Sequence, residues 1–215
     1  RLLAPFARHI FTGFTGVFPG RENSKWSGNP LRREFLQSAE HVSVSAGGIN
    51  IFVVGGSLGA HALNNVVPEA IAQLLKQMPG SNIRVVHQTG KRDVEQVVRD
   101  YRRLDIDAQV IAFVDDISVE YQKANLVIAR SGALTVSEIC AVGVAAIYVP
   151  YPYAIDDHQT ANASVMVEAG AAKIVQQSEL DTAQLASVVK SLLEKQGLLE
   201  DMASKAKSLA RTDAA

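Results

Sequence analysis

From residue 50 onward, short apolar runs alternate with longer stretches in which apolar positions recur every three or four residues. Ile51-Phe52-Val53-Val54 has the length of a buried strand. Residues 60–78 carry one apolar face and stop at Pro79-Gly80, as an amphipathic helix does. The alternation then repeats. It predicts strands over 83–87, 109–113, 124–129, 145–149 and 172–175. It predicts helices over 92–103, 117–123, from the turn at Ser131 to Gly143, and over 159–168, 181–195 and 198–209. Strands that alternate with helices build an α/β fold, a doubly wound, mostly parallel sheet.

The first thirty residues do not share this rhythm. Residues 1–18 mix Leu2, Leu3, Phe6, Ile10, Phe11, Phe14 and Phe18 with Arg1, Arg8 and His9, and no acidic residue precedes Glu22. A helix-like basic apolar segment of this kind suits an anionic membrane surface. It equally suits the edge of a domain not contained in the chain. The second reading is preferred, because a chain that opens at Arg1 without Met reads as a piece of a longer protein. Pro19-Gly20 and Gly28-Asn29-Pro30 mark residues 19–30 as an interdomain connection, and 31–40 as a short helix after it.

Composition narrows the picture in three places. A net charge of −1 over 215 residues argues against a general nucleic-acid binder. One cysteine, Cys140, rules out a disulfide framework or cysteine metal cluster and fits a reducing compartment. Cys140 lies on an apolar helix with no activating base in view, so it reads as a packing residue. No apolar run is long enough to span a bilayer.

Candidate chemistry sits where strands end. Arg130-Ser131-Gly132-Ala133-Leu134-Thr135-Val136-Ser137-Glu138 joins a strand to a helix. Ser131, Gly132 and Thr135 offer hydroxyls, N–H groups and little bulk at the positive end of a helix dipole, which suits phosphate. Glu138 repels phosphate but can accept two hydrogen bonds from a ribose diol, and the pair of features suggests a nucleotide. Thr135-x-x-Glu138 also fits a capping box that needs no ligand, and the turn alone leaves both readings open. Gly55-Gly56-Ser57-Leu58-Gly59 follows the first regular strand and allows close backbone approach to a phosphate. It is not a dinucleotide fingerprint, since the spacing differs and the next strand ends in His87-Gln88, and it lacks the lysine of a P-loop.

The stretch from Val149 to Ala163 forms a third loop, where Asp157, His158, Gln159 and Asn162 could grip sugar hydroxyls. Asp156, Asp157 and His158 are weaker as metal ligands, because adjacent carboxylates point apart. Asp105-Ile106-Asp107 resembles the Asp pair of metal-dependent sugar transferases, but it precedes a strand and reads as a solvated turn. Asp115-Asp116 fits the N-cap region of a helix. His87, at a strand end, reads as a structural hydrogen-bonder ahead of an acid or base.

Taken together, Gly55-Gly56-Ser57-x-Gly59-Ala60, His87-Gln88-x-Gly90, Arg130-Ser131-Gly132-Ala133-x-Thr135-x-x-Glu138 and His158-Gln159-x-x-Asn162-Ala163 resemble one family in order and spacing, from about Gly28 to the end. It is the MurG family of bacterial transferases, which move N-acetylglucosamine (GlcNAc) from UDP-GlcNAc onto lipid-linked muramoyl-pentapeptide in peptidoglycan synthesis. The resemblance implies the C-terminal, Rossmann-like half of a GT-B glycosyltransferase. It divides the chain into a linker remnant (1–30), a UDP-sugar domain (31–197) and a C-terminal helix (198–215) that would return toward the N-terminal domain. By motif position it implies that Glu138 binds the ribose hydroxyls, and that Ser57, Ala133, Leu134 and Thr135 hold the diphosphate. Val114 would meet the uracil through its backbone, Arg32 would lie near the base, and Gln159 with His158 and Asn162 would read the sugar. Some relatives carry Gln where this chain has His158.

The implied reaction is inverting, with no metal or other cofactor and no catalytic residue in this chain. The base, the acceptor loops and the membrane-docking patch would belong to the N-terminal domain. The place implied is the cytoplasmic face of the inner membrane, as a peripheral protein. Two alternatives remain: another GT-B-type enzyme such as a UDP-GlcNAc 2-epimerase, or a domain that binds nucleotide without chemistry. A nicotinamide oxidoreductase is disfavoured by the failed fingerprint.

Overall fold

A computed structural model describes residues 4–14, 18, 20–36, 48–55 and 60–214, with the side chain of Ile155 excepted. Two short strands, β1 (Ile10–Thr12) and β2 (Ser24–Trp26), pair in parallel near the start. A single helical turn, α1 (Arg33–Leu36), follows. The main body then runs β3 (Ile49–Val54), α2 (His61–Gln77), β4 (Ile83–Gln88), α3 (Val94–Arg103), β5 (Ala108–Ile111) and α4 (Ile117–Lys123). It continues with β6 (Leu126–Ala129), α5 (Ala133–Val142), β7 (Ala145–Tyr148), α6 (His158–Glu168), β8 (Ala172–Ile174), α7 (Thr182–Leu193) and α8 (Leu198–Ser208).

Six strands, β3 to β8, form one parallel sheet in the order β5-β4-β3-β6-β7-β8. The chain winds outward from β3 to β5, then returns to lay β6 against β3. The order therefore reverses between β3 and β6, and ligands of such sheets bind in the crevice outside the carboxyl ends at that point. Register brings those ends together. Val54 pairs with Gln88 on one side and Ala129 on the other, and Ala129 pairs with Tyr148.

Alternate strand residues feed two apolar layers, because successive side chains point to opposite faces. Ile51, Val53, Leu126, Ile128 and Ile147 meet Leu63, Val67 and Ile71 of α2 and Leu185 and Val189 of α7. Phe52, Val54, Val127, Ala146 and Tyr148 meet Val136 and Ile139 of α5, Tyr121 of α4 and Met166 of α6. Both faces are covered, so the strands read as continuous apolar runs rather than alternating ones. Cys140 is part of the second layer, with Sγ 3.2 Å from Met166 Sδ, and burial pushes its thiol up to about 12. It is a packing residue.

The start of the chain departs from the expected helix. Pro5 lacks the N–H that a helix interior needs, and only a 3-10 turn, Ala4–Phe6, forms around it. The β-branched and aromatic run Ile10-Phe11-Thr12 takes a strand instead. Its partner β2 lies inside the segment expected to be only a connection. Of the helix expected over 31–40, the described part is Arg33–Leu36, and residues 37–40 lie outside the described residues.

Candidate functional site

The crevice lies beyond the end of β3 at Gly55 and is bordered by the turns after β6 and β7. Gly55 N–H donates to the Gln88 carbonyl at 2.8 Å, which fixes the exit from β3. A Cβ on Gly55 would sit 3.0 Å from both Ala60 N and Gln88 O, so only glycine fits there without backbone movement. Gly56, Ser57, Leu58 and Gly59 lie outside the described residues, and with them the role expected of Ser57.

After β6 the turn is fully described. Gly132 is the N-cap of α5, with extended backbone and no side-chain cap. The first bond of the helix runs from Val136 N–H to the Gly132 carbonyl at 3.0 Å. The N–H groups of Ala133, Leu134 and Thr135 therefore belong to the first turn and lack intrahelical acceptors. Thr135 stands two residues inside the helix, so Thr135-x-x-Glu138 is not a capping box, and that reading of the sequence is overturned. Ser131 is 0% exposed, and its Oγ has no hydrogen-bond partner among the described residues. A buried hydroxyl without a partner is costly, and natural structures rarely keep one away from a ligand or water. Sequence reading offered Ser131 as a phosphate-binding hydroxyl with Gly132 and Thr135; its complete burial was not visible there.

Two side chains hold this turn in place. Asn162 Nδ2 on α6 donates to the Ser131 carbonyl at 3.0 Å. Arg130 donates to the carbonyls of Val149 and Pro150 at 2.9 and 3.1 Å, and to Gln177 Oε1 at 2.6 Å. Its guanidinium also lies 5.6 Å from the ring centre of Tyr151. Arg130 thus ties the β6 turn to the loop after β7. In that loop Gln159 Oε1 accepts from Tyr151 N–H at 2.9 Å, and His158 is the exposed first residue of α6. Asp156 and Asp157 both take left-handed backbone, which is uncommon outside glycine. Asp157 accepts from Thr160 Oγ1 at 2.7 Å.

Glu138 lies further along α5, where Arg32 Nη2 is 3.2 Å from Oε1. Burial raises its carboxyl above the ordinary range, and Arg32 partly opposes that. Val114 follows the exposed Phe113 after β5, with its side chain against the second apolar layer.

His87 is completely buried under the β3 exit. Asn64 Nδ2 donates to the Thr89 carbonyl (3.0 Å) and to Asp93 Oδ2 (2.8 Å), so Asn64 Oδ1 is the atom facing His87. His87 Nε2 therefore carries the proton and donates at 3.1 Å, while Nδ1 accepts from the Tyr101 hydroxyl at 3.1 Å. Desolvation lowers its pKa to about 3, which leaves it a neutral hydrogen-bonder rather than an acid or base. Asp116 is the N-cap of α4 and accepts from Ser118 N–H at 3.1 Å. Asp105 and Asp107 precede β5, at the amino edge of the sheet and away from the crevice. Among the described residues no three His, Cys, Asp or Glu side chains gather as a metal site.

The model of the glycosyltransferase family 28 C-terminal domain matches residues 50–215. The chain belongs to this family. Among family 28 relatives, the UDP-N-acetylglucosamine–N-acetylmuramyl-(pentapeptide) pyrophosphoryl-undecaprenol N-acetylglucosamine transferase of Burkholderia lata is 43% identical over 221 residues. That alignment covers all of this chain and 58% of the relative. The Burkholderia cenocepacia protein of the same name is 44% identical over 222 residues, again with 58% of its length covered. The chain thus spans a little over half the length of these relatives.

Among solved structures, MurG of Acinetobacter baumannii superposes with a TM-score of 0.85 at 35% identity, over 99% of this chain and 60% of that one. A UDP-GlcNAc 2-epimerase from Neisseria meningitidis superposes with a TM-score of 0.54 at 15% identity, over 80% of this chain and 43% of that one. That likeness is one of fold alone.

The residues singled out from sequence fall mainly into two groups, on α5 and at the start of α6. Ala133, Leu134, Thr135 and Glu138 lie on the first two turns of α5. Arg32 joins them through Glu138. His158, Gln159 and Asn162 open α6, and the last two are held by bonds to the loop and to the Ser131 turn.

Proposed function

We propose that this chain is the donor-binding part of an inverting transferase that moves GlcNAc from UDP-GlcNAc onto lipid-linked muramoyl-pentapeptide, a step of peptidoglycan synthesis. The observation that carries the proposal is Ser131. A fully buried hydroxyl without a partner among the described residues adjoins the first-turn N–H groups of α5 at the point where strand order reverses. Such groups suit a diphosphate. Glu138 stands one and a half turns further on, where it can accept from the ribose diol. Leu134, Ala133 and Thr135 hold the diphosphate through the first turn. Ser57 does so from the β3 turn, Val114 and Arg32 border the base, and His158, Gln159 and Asn162 read the sugar.

The contribution of this domain to the reaction is leaving-group stabilisation. Charge grows on the diphosphate as the sugar departs, and the N–H groups at the α5 terminus, with the adjoining Ser131 hydroxyl, are the groups that would meet it. We assign no catalytic residue and no metal to the chain. Asp116 and Asp157 are already committed to local hydrogen bonds, and Asp105 and Asp107 sit at the opposite edge. The acceptor site, the base and contact with the cytoplasmic membrane surface are proposed for the part of the relatives that this chain does not match. Residues 1–30 would be the linker, 31–197 the UDP-sugar domain and 198–215 the closing helix. Support for this substrate comes from the relatives' names, and the role in cell wall growth, shape and division follows from it.

Calorimetric titration of UDP into the native chain and Ser131→Ala tests the reading. The substitution removes a hydrogen bond to an anion, worth about 1.5–3 kcal/mol, so UDP affinity falls about tenfold or more. Unfolding in the absence of nucleotide moves the other way. The variant is at least as stable as the native chain, because a buried unpaired hydroxyl is gone. Unchanged affinity, or a loss of stability with no effect on UDP, would contradict the proposal.

A further inference from the structure

Arg32 reaches Glu138 from the segment between β2 and α1, 106 positions away in sequence. The Glu138 side chain is 13% exposed, whereas that of Arg32 is 50% exposed. Two further contacts fix where the guanidinium sits. Asn29 Nδ2 donates at 2.9 Å to Oγ of Ser137, the residue before Glu138. The Arg32 guanidinium also lies 5.1 Å from the ring centre of Phe35, which is buried beside Tyr121. The segment is therefore anchored on both sides of Arg32, once to α5 and once to the core.

We propose that Arg32 is a positioning residue that acts through Glu138, holding the enclosed carboxylate ionised and oriented to accept the ribose diol. The inference rests on the reading of Glu138 given above. An ionised carboxylate accepts at both oxygens, while a protonated one gives up acceptor capacity to become a donor and no longer matches two hydroxyl donors. Enclosure works against the charge, and Glu34 on α1 adds like-charge repulsion. The buried Tyr121 on α4 also interacts electrostatically with this carboxylate, and Asp116 at the N-cap of α4 shares the field of Arg32. Arg32 is the cation among these groups, so its loss moves protonation of Glu138 to higher pH.

The test is titration of UDP into the 215-residue chain at pH 5 and pH 8, for the native protein, Arg32→Ala, Arg32→Lys and Glu138→Gln. Removing the opposite charge moves protonation of the Glu138 carboxyl to higher pH. The ratio of native to Arg32→Ala affinity is therefore severalfold larger at pH 5 than at pH 8. Arg32→Lys restores most of the acid-side affinity, and Glu138→Gln binds more weakly with little dependence on pH. An Arg32→Ala loss of the same size at both pH values would overturn the inference while leaving the UDP site standing. Absence of UDP binding by the native chain at either pH would remove both.

Discussion

His87 is a neutral imidazole with a fixed tautomer, Nε2–H to Asn64 and Nδ1 from Tyr101. Its folded pKa, lowered to about 3 by burial, lies below the ordinary 6.5. The unfolded chain therefore binds a proton first as pH falls. The contribution of His87 to stability is complete above about pH 6.5 and is lost progressively toward pH 3. Between pH 8 and pH 5 that amounts to about 2 kcal/mol of lost stability. Denaturant unfolding at the two pH values should show this loss, reduced in His87→Gln, while the imidazole resonances of His87 in the folded chain should not titrate. From sequence His87 read as a structural hydrogen-bonder ahead of an acid or base, and its buried, neutral imidazole bears that out. Its partners, Asn64 and Tyr101, lie 23 and 14 positions away, and neither the partners nor the burial can be read from a strand-end histidine. The same blindness hid the lone hydroxyl of Ser131, whereas Glu138 stood out as a carboxylate where phosphate donors gather.

At the scale of the element, α5 shows which signals carry. Its apolar run and its end at Gly143 were legible, because Gly143 takes φ +78°, where only glycine is free of strain. The N-terminus was legible only as a turn. The hydroxyl of Thr135 suggested a cap, yet the N-cap is Gly132, three residues earlier. The strands β1 and β2 were missed because three residues are too few to show a period. At the far end of α5, a Cβ on Gly143 would lie 2.9 Å from Lys207 Cβ and 3.3 Å from the Ala203 carbonyl, both on α8. Gly197, at φ +74°, has nothing within 4 Å of such a Cβ. Gly197→Ala should cost only backbone strain, about 1–2 kcal/mol. Gly143→Ala should cost about 1 kcal/mol more, since α8 must also give way. Equal unfolding midpoints for the two variants would show that α8 does not press on α5.

For the whole molecule, alternating strands and helices made the doubly wound sheet readable, but not its order. The reversal between β3 and β6 sets Val54 beside Ala129, some seventy-five residues apart in sequence, and the crevice lies beyond these two strand ends. Arg130 and Asn162 then bring the loop after β7 to the same place. The account's central claim is that a uridine nucleotide lies across this crevice with its ribose on Glu138. Calorimetric titration of UDP and of UDP lacking the 2′-hydroxyl, into the native chain and Glu138→Ala, tests it most directly. Each bond to the carboxylate belongs to a class worth about 1.5–3 kcal/mol. The native chain should therefore bind UDP at least about tenfold more tightly than the deoxy form. Glu138→Ala should bind both weakly and nearly equally. A native chain that binds neither nucleotide, or a variant that keeps the full preference for UDP, would contradict the account.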